Sequence, residues 1–334
     1  MVQSLMLGIT VYGGLLVGPY LSNKISDALP ALSCAFDQEN GAYCVLIPFQ
    51  HQFHHRIGET FVRIGELTLS MFMPLLFTFL TFYIFFIFLN KAFCGWVCPL
   101  GTVQELLYRL GRRMNLTIHR LGEDKINRVR PIKWIILLFL VFLLPLLTGL
   151  GITPHAAGDA YCQVCPSRIV TTLLTANTEQ VAVSSASWLE FTFGAIRNLM
   201  IGFIIIAAMT IRQPFCRICP MLAFHAIFRR FSFLRLDKKE HAKCGRCDLC
   251  VKSCPMDIPE ISNKHGSAAF NEDCTMCGRC VEFCPDNGVI SLRFGPVALF
   301  KSSTDYFRRR SRQEKPDGTI KKMVAAKNSE KADG

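Results

Sequence analysis

Between Leu67 and Gly101 the chain reads LTLSMFMPLLFTFLTFYIFFIFLNKAFCGWVCPLG. No charged residue falls from Leu67 to Leu89, and a helix over that run, rising about 1.5 Å per residue, crosses a hydrocarbon core of roughly 30 Å. The run leads to Cys94-Gly95-Trp96-Val97-Cys98-Pro99, then to an amphipathic stretch, Val103 to Arg113, that ends on basic residues. The same succession recurs further on. An apolar run from about Phe191 to Ile211 leads to Cys216-Arg217-Ile218-Cys219-Pro220, then to Leu222 through Arg230. The chain thus holds an internal repeat of membrane helix, cysteine pair and interfacial helix. Proline is at home at the first position of a helix, so each Cys-Pro step is expected to open one. Its amide end then faces the sulfurs, where the helix dipole favours thiolates and an anionic cluster.

Two more apolar runs complete the set. Trp134 to Thr153 is one; Leu5 to Leu21 is shorter, with Gly8, Gly13, Gly14 and Gly18 leaving room for close helix packing. No basic stretch precedes that first run, so a retained helix is expected there. The 334 residues are 51% hydrophobic with 27 Phe, a mean hydropathy of +0.30 and a formal charge of +12, so the charges must be segregated from the apolar runs. Arg109, Arg112, Arg113, Arg120, Lys125, Arg128, Arg130 and Lys133 lie between the second and third runs in chain order. Arg229, Arg230, Arg235, Lys238 and Lys239 follow the fourth, whereas 22–65 and 154–190 hold few basic residues. By the positive-inside rule the basic connections are cytoplasmic and the other two face outward.

The expectation is a mainly α membrane protein with about four transmembrane helices, multi-pass in the cytoplasmic (inner) membrane and in contact with lipid, with both termini cytoplasmic. Arg197 near the end of the fourth run snorkels to the interface, and with Glu66 reads as a boundary anchor. Topology accounts for the basic charge, so no nucleic acid is expected as a partner. A dinucleotide fingerprint, a P-loop and a nucleophilic triad are all lacking, and no catalytic residue is identified.

Fourteen of the sixteen cysteines fall in C-x2-C and C-x3-C groups that run into a proline, a pattern that favours metal ligation over disulfides. Two complete arrays stand in the C-terminal region: Cys244, Cys247, Cys250 and Cys254-Pro255, then Cys274, Cys277, Cys280 and Cys284-Pro285. Each reads C-x2-C-x2-C-x3-C-P, in which three thiolates wrap one cubane and the fourth serves its neighbour. Cys244, Cys247, Cys250 and Cys284 are assigned to one [4Fe–4S] cluster, and Cys274, Cys277, Cys280 and Cys254 to another. Zinc also takes four thiolates, but two full copies with proline at one offset speak for iron–sulfur. The chain reads as a transmembrane helical domain over 1–235, an α+β double [4Fe–4S] ferredoxin domain over 236–300, and a basic disordered tail over 301–334.

The other cysteines divide by topology. Cys94, Cys98, Cys216 and Cys219 fall at cytoplasmic helix ends and are expected to hold a further iron–sulfur cluster at the inner membrane face, with a structural zinc or reactive thiols as the alternative. Cys34, Cys44, Cys162 and Cys165 fall in the outward connections. Tyr161-Cys162-Gln163-Val164-Cys165-Pro166 resembles the inner motifs, so a cluster at the outer face is expected, with a Cys34–Cys44 disulfide as the alternative.

Phe93 to Gly101, Phe215 to Met221 and the double array together resemble the bacterial membrane polyferredoxins of the NapH and MauN type, related to the membrane parts of the nitrous-oxide reductase regulator and the cytochrome oxidase assembly ferredoxin. The resemblance covers about residues 60–295. It implies an electron-transfer subunit that works between the quinone pool, or an outer-face redox partner, and the ferredoxin module, in a respiratory complex. An assembly or maturation protein that reduces a metal or thiols for a partner, or a redox sensor, would use the same clusters. The chain departs from the family pattern in its C-x2-C-P second inner motif, where C-x3-C-P is frequent, and in its outer quartet.

His51, His54 and His55 cluster in the first outward loop and His155 begins the second. A polar interfacial loop is the favoured reading; a metal site, a cap on a partner's haem, or proton handling at a quinol site are the alternatives.

Overall fold

The uncharged run folds as one helix, Leu69–Leu89, in a computed structural model that describes residues 2–17, 46–66, 68–117, 121–174, 187–241 and 244–313, with positions 176, 178, 181–183 and 185. Among the described residues three helices are long and apolar enough to cross a membrane: Leu69–Leu89, Glu123–Gly149 and Trp188–Thr210. The expected first crossing corresponds to the helix Val2–Val17, and residues 18–21 lie outside the described residues. Leu76, Phe77, Leu80 and Ile84 on one span, and Leu199, Phe203 and Ile206 on another, stay exposed. Such a continuous apolar surface is stable only against lipid, and the molecule is a membrane protein.

The chain divides into two units, Met1–Ser232 and Phe233–Gly334. The interior of the first is built from rings and aliphatics of several helices, with Phe49, Phe82, Phe86, Leu137, Val141, Phe224 and Phe228 in one buried cluster. Phe49 meets Phe82 edge to face, with centroids 6.2 Å apart at 87°, the arrangement that ring quadrupoles favour. The helix Pro99–Arg113 lies so close to Trp188–Thr210 that a Cβ at Gly111 would collide with the Met209 carbonyl. Buried Glu105 ties this helix to the segment after Trp188–Thr210 through Arg212 at 3.7 Å, and pairs within its own helix with Arg109 at 3.4 Å.

Two parts of this unit differ from the expected outward loops. Residues 46–64 are helical throughout, as Leu46–His51, a π-helical stretch Gln52–Glu59, and Thr60–Ile64, because Leu46, Phe49 and Ile57 give them a buried face. The histidines therefore stand on a helix. Likewise Ala160–Val164 and Pro166–Leu174 are helices that bury Tyr161, Cys162 and Ile169. Lys133, counted above among the cytoplasmic charges, is fully buried.

The second unit carries an antiparallel sheet in the order β1 (Leu234–Lys238), β2 (Ile290–Phe294), β3 (Val297–Lys301). Leu236 pairs with Leu292, and Lys238 with Ile290. Short helices between β1 and β2 carry the cysteines over a core that includes Met256, Ile258, Ile261 and Val281. The amine of buried Lys238 donates to the carbonyls of Ile261 (2.5 Å) and Ser262 (3.0 Å), tying β1 to the loop between the arrays. The start of the expected disordered tail is ordered: β3 runs to Lys301 and Thr304–Gln313 is a helix. Asp305 lies in its first turn, Phe307 buries against Leu249, and Arg310 pairs with Glu282 at 3.0 Å, contacts that composition alone does not display. Residues 314–334 lie outside the described residues.

Candidate metal centres

In the second unit each array winds tightly, and the turns recur. Asp248, directly after Cys247, has φ +49°, and Gly278, directly after Cys277, has φ +75°, so equivalent positions of the two copies take the same left-handed turn. Two cavities result. One is lined by Cys244, Cys247, Cys250 and Cys284 together with Lys238; the other by Cys254, Cys274, Cys277 and Cys280 together with Met256 and Ile258. Each takes its fourth cysteine from the other array. Arg279 donates to the Ser253 carbonyl at 3.3 Å and so fixes one array on the other. Burial, and then neighbouring thiols, push Cys250 and Cys254 up to about 12 and Cys280 well above its ordinary value. Four buried or half-buried thiols that repel one another as thiolates fit a site whose iron supplies the positive charge. Cys280 of one set also lies within electrostatic reach of Cys250 of the other, so the two sets adjoin.

In the first unit the Cys-Pro steps share one backbone form. Cys98 (φ −55°, ψ 116°), Cys165 (−68°, 118°) and Cys219 (−68°, 121°) each stand extended before a proline that begins a helix, as the ring of a following proline requires. Cys254, in the second unit, has the same form (−69°, 122°). Burial raises Cys216 to about 12, with Cys98 adding to the shift, and burial, then Cys216, Cys94, Cys165 and Cys98, hold Cys219 well above its ordinary value. The structure therefore gathers Cys94, Cys98, Cys216 and Cys219.

It also brings in Cys165, which was expected apart from them on an outward connection. Cys162, Cys165 and Cys219 all pack in or against the same core of rings. The reason is the apolar face of the short helices that carry Cys162 and Ile169, which a scan for long spans passes over. Cys34 and Cys44 lie outside the described residues.

One regularity escaped the sequence reading. Gln104 stands six residues after Cys98, and its amide donates to Cys216 Sγ at 3.6 Å while its oxygen accepts from the Phe215 amide at 3.1 Å. His225 stands six residues after Cys219, and its Nδ1 is 3.5 Å from Cys94 Sγ. Each repeat thus reaches across to the first cysteine of the other. Gln50, six residues after Cys44, donates to Cys162 Sγ at 3.1 Å. All three side chains are fully buried, a costly place for polar groups unless they find partners, as these do at the sulfurs. The signal was present as a polar residue on the apolar face of a helix, at a fixed distance from a cysteine.

Away from the thiols, His54, His55, Glu59 and His155 come together. Burial first, then His55 and His155, hold His54 below its ordinary value, and a hydrogen bond from His55 lowers Glu59.

Comparison with known proteins agrees with this layout. A family described as "4Fe-4S binding domain" matches residues 71–117 and again 194–239, each match enclosing one Cys-Pro motif; one described as "4Fe-4S dicluster domain" matches 243–290. An uncharacterized protein of Methanocaldococcus jannaschii is 30% identical over 200 residues, 59% of this chain and 69% of its own length. The regulatory protein NosR of Pseudomonas aeruginosa is 30% identical over 242 residues, 70% of this chain and 30% of its own. The ferredoxin-type protein NapH of Escherichia coli is 23% identical over 203 residues, 59% of this chain and 60% of its own. The match thus spans two thirds of the first of these relatives, but less of the other two. No solved structure matches the chain.

Proposed function

Since the chain belongs to the NapH- and MauN-type family of membrane polyferredoxins, we propose that it is the iron–sulfur electron-transfer subunit of a respiratory complex, working between quinol or an outer-face redox partner and its C-terminal ferredoxin module. The observation that carries this reading is the pair of adjoining cavities in the second unit, each lined by four cysteines. A single regulatory cluster needs no such duplication.

The ligand sets of this reading are as follows. Cys244, Cys247, Cys250 and Cys284 hold one [4Fe–4S] cluster, and Cys254, Cys274, Cys277 and Cys280 the other. Cys94, Cys98, Cys216 and Cys219 hold a third, where Gln104 and His225 orient the sulfurs and buried Phe86 and Leu100 exclude water. By the same six-residue relation, with Gln50 on Cys162, the pair Cys162 and Cys165 joins Cys34 and Cys44 in a fourth. Clusters bound at these places supply one-electron storage without proton transfer. Because Cys165 lies within reach of Cys219, the third and fourth sets are neighbouring steps instead of stations at opposite faces. Four crossings with both termini cytoplasmic fit the basic connections, and movement of an electron across the bilayer is then worth about 2.3 kcal/mol per 100 mV.

The test is quinol addition to the cluster-loaded protein in sealed liposomes, followed by electron paramagnetic resonance. Reduction of the C-terminal cluster pair supports the reading; clusters that stay oxidised with quinol, but are reduced by dithionite, sink it. Kinship with a regulatory protein favours one other reading, reductive maturation of a partner. A deletion strain separates the two. Loss of the partner's own cofactor points to maturation, whereas an intact cofactor with lost quinol-driven turnover points to electron supply.

A further inference from the structure

We propose that His54, His55, Glu59 and His155 bind a divalent transition-metal ion of the zinc class, which clamps the π-helical stretch Gln52–Glu59 to the turn leading into Cys162. The four ligand atoms all lie within 4.8 Å of one another. Zinc bonds of about 2.0–2.1 Å place tetrahedral ligands about 3.4 Å apart. Glu59 Oε1 already stands 3.5 Å from His54 Nε2 and 3.1 Å from His55 Nδ1. The imidazoles are equally close: His54 stacks on His55 at 4.0 Å between centroids and meets His155 at 4.7 Å.

The local backbone explains how three residues of one element converge. In an α-helix of 3.6 residues per turn, His54 and His55 point about 100° apart. The wider π turn bonds i to i+5, which brings Glu59 back over both rings. His54 is then locked in place by missing side chains. A Cβ on Gly158 would strike its ring, one on Gly149 its carbonyl, and one on Gly58 the backbone of Gly149. His54 is 4% exposed, so its orientation is fixed before any ion arrives, whereas exposed His155 admits it.

Three imidazoles and one carboxylate suit zinc or ferrous iron; they are too nitrogen-rich for magnesium or calcium and lack the sulfur that cuprous copper prefers. The absence of thiols also sets this group apart from every cysteine set in the chain. His155 lies seven positions before Cys162, so an ion here would anchor the connection on which that cysteine is carried.

Cobalt(II) titrated into the full-length, cluster-loaded protein in detergent tests this directly. The expected result is one equivalent bound with ligand-field bands and no sulfur-to-cobalt charge transfer, displaced by zinc. His155→Ala, at an exposed position, should weaken binding more than about 100-fold, since even loss of an outer-shell partner costs 10–100-fold. It should leave the cluster resonances unchanged, and His241→Ala in the other unit should bind as the parent does. Failure to bind cobalt, binding with sulfur bands alone, or equal affinity in His155→Ala would overturn the proposal.

Discussion

The cysteines of the two units are arranged by opposite means. In the second unit each set draws three ligands from one seven-residue stretch and the fourth from its copy, so local turns at Asp248 and Gly278 do most of the work. In the first unit Cys94 and Cys98 meet Cys216 and Cys219 across more than a hundred residues, and the meeting depends on how helices pack. Gly111 against Met209 and Glu105 paired with Arg212 are the close contacts between those elements. A site written in local turns survives changes elsewhere; one written in helix packing does not.

Cysteine replacement tests that contrast most forcefully. Cys280→Ser should remove about four irons per chain and abolish the magnetic coupling of the ferredoxin pair, because Cys280 adjoins Cys250. Cys216→Ser should also remove about four irons, but leave that coupled signal intact. If Cys216→Ser disturbed the coupled signal, or retained all its iron, the separation of the two kinds of site would be broken.

A smaller effect is expected from His225→Phe, which keeps a ring beside Phe86 but deletes the nitrogen near Cys94. A hydrogen bond is worth about 1 kcal/mol, on the order of 40 mV for one electron. The midpoint potential of the first-unit cluster should fall by that amount, since the more negative reduced state loses a donor, while redox titration shows the ferredoxin pair unmoved. The smallest concerns Arg310→Ala. Its pair with Glu282 is partly exposed and should contribute no more than about 1 kcal/mol, read as a small decrease in thermal midpoint of the second unit without loss of iron.

The same contrast explains what the sequence made legible. The C-x2-C-x2-C-x3-C-P arrays could be paired by inspection because their spacing repeats, and the long spans could be read from hydropathy because each holds a long apolar stretch with few or no charges. That Cys162 and Cys165 pack with the core of rings could not be read, because their short helices are too brief to register as apolar runs, yet Tyr161 and Cys162 belong to that core and Cys165 packs against it. Gln50, Gln104 and His225 went unnoticed since a lone polar residue on an apolar face has meaning only once the opposing sulfur is known. The histidine group needed the π turn, which no periodicity announces. Helix formation by Thr304–Gln313 depended on Phe307 finding Leu249 across the unit.

Iron and acid-labile sulfide, measured anaerobically on the purified full-length chain alongside electron paramagnetic resonance, bear most directly on the central claim that the membrane unit holds clusters of its own. The account predicts about twelve irons per chain for the ferredoxin pair and the Cys94, Cys98, Cys216, Cys219 set, rising to about sixteen with the set that includes Cys162 and Cys165. About eight irons in fully loaded protein, all accounted for by the coupled ferredoxin signal, would contradict it.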